Sequence, residues 1–359
     1  MITRPLLRSA ACAAISFFLC AAAPSHAQNA ATPSPVSPAS REVVDEVGRT
    51  ISVPQPVRRI VSLAPSLTET VYALGLQDRL VGDTDYCDYP PDAQKKTKVG
   101  GGINPSLEVI AALHPDLVLV TKGFNLPETV HSLDELGIPS YATDPHTVDD
   151  IVHSTKKLAE LLGVPDAGVA VADEMEHRLG DLQRRIGTLP PKHVLFVVWT
   201  QPLISAGRHT FLADALRHAG AVSIVDSAQD WPHVNLEEVA RLQPDFLVFA
   251  DSHSESASRE MEALATLPGW RILNAVSNRR YAVISDAVNR PAPRIVSAIE
   301  DLARQLHPEA FAEKPGDAKE KIEKEMAPAR PLHFSPSSVV WNVPMHDDLR
   351  SSGGCACGR

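Results

Sequence analysis

The chain has 359 residues and a formal net charge of −10. Nucleic-acid binders draw much of their affinity from Lys and Arg on phosphates, so this balance excludes that class, and no basic stretch stands against it. Of five cysteines, Cys12 and Cys20 fall in the first segment, leaving only Cys87, Cys355 and Cys357 and no disulfide framework, so stability must come from an apolar core.

Arg4 and Arg8 precede an apolar run over residues 10–23, and Ser25-His26-Ala27 offers a small-x-small cleavage site. This predicts a cleaved export signal over 1–27, because the run falls short of the roughly 20 residues a spanning helix needs. Bulky Phe17-Phe18-Leu19 argue against lipidation at Cys20. Residues 28–41 are rich in Pro, Ser and Ala and predict a flexible leader. The pattern that follows divides into an N-terminal lobe over 42–146, a connecting helical segment over 147–187 and a C-terminal lobe over 188–310. Residues 311–359 lose all periodicity and are expected to form a solvated tail.

Arg59-Ile60-Val61-Ser62-Leu63 reads as a buried strand, and Ser66-Leu67-Thr68-Glu69 after it as a capping box opening a helix that Gly75 closes. Helix Leu107 to Leu113, strand Asp116 to Thr121, helix Pro127 to Leu136 and strand Ser140 to Ala142 follow. Residues 147–187 are helical in pattern except at Gly163-Val164-Pro165. The second lobe opens with a strand over residues 193–199, then a helix Phe211 to Ala219, strands Asp245 to Ala250 and Tyr281 to Ile284, and a last helix Arg294 to Leu306. Alternation of this kind implies parallel sheets.

Residues 106–120 (SLEVIAALHPDLVLV) align without gaps on 235–249 (NLEEVARLQPDFLVF), with six of fifteen positions identical. In each copy a helix capped by Ser106 or Asn235 is stopped by Pro, Asp opens the turn, and an apolar strand follows. Such a joint is common in α/β proteins. Its recurrence inside two regions of similar size nevertheless predicts one unit used twice. The expected fold class is therefore α/β: two βα lobes with mainly parallel sheets, joined by a long backbone helix and leaving a cleft suited to a small molecule.

Several stretches together resemble the helical-backbone periplasmic binding proteins for cobalamin and ferric siderophores that serve ABC importers, over about residues 46–307. They are residues 59–69 (RIVSLAPSLTE), 85–91 (DYCDYPP), Leu107-Glu108 ahead of Pro115-Asp116, 230–234 (DWPHV) and 290–294 (RPAPR). The 85–91 and 230–234 stretches are most similar to the cobalamin-binding branch. The resemblance implies that Tyr86 and Trp231 contact a corrinoid from opposite lobes, that Trp199 adds a wall, and that Ser285, Asp286, Ala287, Val288 and Asn289 contribute a ligand loop. Flat aromatic faces supply contact area at little rotamer cost, although a tryptophan beside a proline also simply covers core. Glu108 and Glu237, at equivalent repeat positions, are implied to dock onto an inner-membrane permease. A first-turn carboxylate also compensates the helix dipole, worth about 0.3–1 kcal/mol.

The chain departs from the cobalamin pattern at Gly100-Gly101-Gly102, where those proteins often carry an aromatic residue. The glycines either let backbone approach a ligand or form a turn. A haem or a ferric siderophore is the alternative ligand, with or without a cognate permease, and Tyr86 or Tyr89 would then supply a phenolate. No nucleophile elbow, zinc-protease helix, phosphate loop or dinucleotide fingerprint occurs, so no enzyme is expected. The histidines lack ligand spacing, and no resident cofactor or metal is expected beyond a metal chelate as cargo. The expected protein is a monomeric periplasmic carrier whose partners are a small ligand and a permease.

Overall fold

The computed structural model describes residues 39–251 and 261–312. The expected export signal, Cys20, the leader up to residue 38 and the tail beyond 312, with Cys355 and Cys357, lie outside the described residues. Strand structure begins at Ser40, inside the span expected to be leader. There β1 (Ser40–Val44) pairs antiparallel with β2 (Thr50–Pro54). The turn between them is closed by the Asp45 carboxylate, which accepts from the amides of Val47 and Arg49 at 3.2 and 2.7 Å.

The first parallel sheet contains β3 (Ile60–Ser62), β4 (Leu80–Asp83), β5 (Thr97–Lys98), β6 (Leu117–Thr121) and β7 (Ser140–Thr143), in the order β5-β4-β3-β6-β7. Its inner strand β6 is buried throughout, as a parallel strand covered on both faces must be. Leu117 and Leu119 pack into one apolar cluster and Val118 and Val120 into another, following the two-residue period of a strand. Helices α1 (Pro65–Ala73), α2 (Leu107–Ala112) and α3 (Pro127–Glu135) connect the strands.

The connecting segment forms α4 (Val148–Leu161) and α5 (Pro165–Ile186), divided at the Gly-Val-Pro break read from the sequence. Thr147 and Asp150 build a complete capping box on α4. With 22 residues, α5 extends about 33 Å. It crosses α4 so closely that a Cβ on Gly168 would lie 2.3 Å from the Ala159 Cβ.

The second sheet contains β8 (Lys192–Val197), β11 (Ala221–Ser223), β12 (Phe246–Asp251) and β13 (Tyr281–Ser285), ordered β11-β8-β12-β13 and parallel. A small hairpin follows β8, its arms being β9 (Trp199–Thr200) and β10 (Leu203–Ile204). Helices α6 (Phe211–His218), α7 (Leu236–Leu242) and α8 (Ile295–Leu306) flank this sheet. Arg178 of α5 pairs with Glu300 of α8 at 2.9 Å, which fastens the long helix to the second sheet's layer.

The order β4-β3-β6-β7 in the first sheet matches β11-β8-β12-β13 in the second, so the sequence repeat is one topology used twice. His114 and Gln243, equivalent in the alignment, both adopt left-handed backbone, with φ of 44° and 47°. Asp116 accepts from the amides of Arg58 and Arg59 at 2.7 and 2.8 Å, and Asp245 from that of His193 at 2.8 Å. Each Asp thus pins the start of one central strand to its neighbour. One compact unit ends at Leu306; the described residues from His307 onward belong to another and hold a short 3-10 turn, Pro308–Ala310. Among the described residues no helix is long and apolar enough to cross a membrane.

Candidate ligand-binding cleft

In open parallel α/β sheets ligands collect outside the carboxyl ends of the strands, where loops diverge and helix N-termini point. Both sheets supply such ends to one cavity of about 500 Å³. From the first sheet come Pro65 and Ser66 after β3, Lys122 and Phe124 after β6, and Asp144 and His146 after β7. From the second come Phe211 at the start of α6, Asp230 and Trp231 ahead of α7, and Asp286, Asn289 and Arg290 after β13. Phe124, Phe211 and Trp231 give it aromatic walls from both sides.

Trp231, 48% exposed, sits on a segment held by backbone hydrogen bonds. Gly207 N donates to Asp230 O at 2.9 Å, Ser205 N to Pro232 O at 3.2 Å, and Val234 N to Leu203 O at 2.9 Å. These bonds zip the Trp231 segment onto the chain after β10. The glycine at 207 is required, because a Cβ there would meet Gln229 O at 1.8 Å. Asp286 to Asn289 form a 3-10 turn capped by Ser285, whose Oγ accepts from the Ala287 amide at 3.3 Å.

Within the expected ligand loop, Asp286 and Asn289 line the cavity, while the side chains of Ala287 and Val288 turn inward and are each 1% exposed. A 3-10 turn repeats every three residues, so Asp286 and Asn289 share one face and the two side chains between them belong to the core. Tyr86 and Trp199, 61% and 62% exposed, stand outside the cavity lining. Trp199 donates from Nε1 to Gln201 O at 2.9 Å across its own hairpin. The glycine run resolves as a turn with close approaches: Gly100 has φ +92°, a Cβ on Gly101 would lie 2.8 Å from Asn104 Oδ1, and a Cβ on Gly102 2.1 Å from the Phe124 ring. Gly102 thereby lets an aromatic from the loop after β6 pack against the turn. Glu108 and Glu237 are both exposed in the first turns of α2 and α7, behind the caps Ser106 and Asn235.

The expected capping box at Ser66 and Glu69 does not form. Helix α1 starts at Pro65 with Ala64 as an N-cap lacking a side-chain bond, and Glu69 serves a long-range role instead. Its carboxylate, 3% exposed, lies 2.8 Å from Arg290 and 2.7 Å from Arg294. Arg290 also reaches Asp88 and Asp286, each at 2.7 Å. The Arg294 guanidinium sits 4.0 Å over the Tyr89 ring. Burial acts to raise the Asp88 carboxyl, but the Arg290 hydrogen bond and charge outweigh it and hold it below the usual carboxylate range.

The loop that carries Tyr86, Asp88 and Tyr89 is tied down from below by Lys98. Its Nζ donates to Asp83 at 2.8 Å and to the carbonyls of Thr84, Cys87 and Ala93 at 3.2, 3.1 and 3.3 Å. Asp83 is fully buried; burial pushes its carboxyl up to about 6 even against Lys98. Cys87 is buried against Thr68 and Thr84, and burial raises its thiol. Among the described residues no group of three or more His, Cys, Asp or Glu side chains is arranged to hold a metal ion.

Motif reading missed Phe124, Phe211, Lys122, Asp144 and His146. The usable signal was positional: each follows the end of a predicted parallel strand or opens the helix after it.

Comparison with known proteins gives a consistent neighbourhood. The profile of a family described as periplasmic binding protein matches residues 60–287. The vitamin B12-binding protein of Vibrio cholerae serotype O1 is 31% identical over 262 residues, covering 71% of this chain and 91% of its own length. A crystal structure of the periplasmic vitamin B12-binding protein of Vibrio cholerae superposes with a TM-score of 0.63 at 29% identity, covering 72% of this chain and 99% of that one. The periplasmic heme-binding protein of Roseiflexus sp. RS-1 superposes with a TM-score of 0.62, also at 29% identity, covering 71% and 99%.

Proposed function

The chain belongs to the periplasmic binding protein family, and on that premise we propose that it captures cobalamin or a closely related corrinoid in the cleft and delivers it to an inner-membrane ABC permease. It works in the periplasm after loss of residues 1–27 and performs no covalent chemistry on its cargo. The observation that carries this reading is the cavity of about 500 Å³ walled by Trp231 and Phe211 from one sheet and Phe124 from the other. A flat macrocycle needs opposed, rigid apolar faces, and aromatic residues supply them with few torsions to freeze. Tyr86, on the exposed loop beside Gly101, and Trp199 extend the aromatic rim that would meet the ligand's periphery. The likeness to vitamin B12-binding relatives supports the corrinoid; the heme-binding neighbour supports haem as the second reading.

Glu108 and Glu237 supply one docking carboxylate from each copy of the repeat. Their exposure on short helices with capped N-termini suits contact with permease arginines.

The test is a titration of the mature chain with cyanocobalamin, haemin and a ferric siderophore, followed by tryptophan fluorescence. Saturable quenching by cyanocobalamin is expected, weakened about tenfold or more in Trp231→Ala, as for a central aromatic contact. Haemin binding without corrinoid binding moves the assignment to haem. Silence with all three probes removes the chelate-carrier reading.

A further inference from the structure

Every cation facing the cleft is already matched by the chain's own carboxylates. Lys122 lies 2.6 Å from Asp144. Arg290 is shared among Glu69, Asp88 and Asp286, and Arg294 behind it is taken by Glu69. Asp230 lines the same cavity and has no ion pair among the described residues. Across the lining and these pairs, five carboxylates stand against three cations. Burial acts to lower the pKa of Arg290, but hydrogen bonds to Asp88 and Glu69 outweigh it and hold the guanidinium charged and engaged.

Glu69 is the hub of this arrangement. It comes from α1 in the first sheet's layer, while both arginines follow β13 in the second, and it is the shared acceptor of the two. An anionic ligand would have to displace one of these carboxylates to use Arg290, and displacing Glu69, which is 3% exposed, would strand a buried charge. It would also meet the like charges of Asp144, Asp230 and Asp286 on the cavity wall. A neutral or cationic chelate faces neither obstacle.

We propose that the cleft selects its cargo by charge, admitting metal chelates of zero or positive net charge, with Glu69 as the specificity-determining residue that withdraws Arg290 and Arg294 from the ligand. The inference rests on the metal-chelate reading above and sharpens it.

Calorimetric titration of the full mature chain tests it with four probes: neutral cyanocobalamin, a cationic diaquacobinamide, haemin with its two propionates, and a trianionic ferric tris-catecholate. Wild type is expected to bind the first two and reject the last two. In Glu69→Gln and in Asp286→Asn, haemin affinity should rise about tenfold or more relative to cyanocobalamin, and the gain should shrink as salt is raised. Asp286→Asn, at the cavity surface, decides the matter if Glu69→Gln melts early. Wild type binding the anionic chelates as tightly as the corrinoids overturns the charge rule alone, as does an unchanged ranking in a folded variant. Wild type that binds none of the four overturns the chelate reading and this inference together.

Discussion

At the residue scale, Asp83 and Glu69 show how differently a buried carboxylate can be settled. Glu69 is met by two guanidiniums. Asp83 has Lys98 on one oxygen, while its Oδ2 has no hydrogen-bond partner among the described residues. Its carboxyl is therefore raised from 3.8 to about 6. The sign of the consequence follows from proton counting. Between these values the folded chain keeps a proton that the unfolded chain releases, so this contribution is full below about pH 4 and is lost as pH rises through about 6. Its size is on the order of 2–3 kcal/mol. Thermal melts of Asp83→Asn should accordingly lose the decline in stability that wild type shows across that window; a wild-type profile retained in the variant would show that Asp83 does not cause it. Neither role is written in local sequence. Ser66-Leu67-Thr68-Glu69 has the spacing of a capping box, and Pro65 instead begins the helix two residues earlier than that box requires, leaving Glu69 free for a partner 221 positions away.

At the element scale, the main helices and the strands β3, β6, β7, β8, β12 and β13 were legible, whereas β4, β5 and β11 of the two sheets and the β9 and β10 hairpin were not read. Prolines, glycines and caps are local signals, and they set the boundaries of α3, α4, α5 and both repeat copies to within about two residues. The β1 and β2 hairpin was not read, because its opening residues resemble leader and its partner strand lies across a turn whose Asp45 contacts depend on folding. The α4 and α5 crossing was likewise invisible: Gly168 inside a helix reads as a mild defect, yet it leaves no room for a side chain against Ala159. Gly168→Val should cost about 1–3 kcal/mol through overpacking, measured as a lower melting temperature, and Ala159→Gly in the same chain should restore part of it. An unchanged melting temperature would mean that the two helices part there without strain.

At the scale of the whole molecule, the duplication puts one exposed carboxylate on each half of the fold. Charge reversal by Glu108→Arg with Glu237→Arg should leave corrinoid affinity within about twofold and abolish uptake through the reconstituted permease, since these surface charges are absent from the cavity lining. Retained uptake would leave helix-dipole compensation as their whole role. The sequence by itself determined the fold class, the repeat and the resemblance to a family of carriers, because periodicity, capping and turn chemistry act over a few residues. Tertiary structure alone decided which side chains share the cleft. It turned Ala287 and Val288 into core, brought Phe124 and Phe211 to face Trp231, and closed Glu69 onto Arg290. Those outcomes depend on how two parallel sheets present their strand ends to each other, and no local pattern encodes a meeting across that distance.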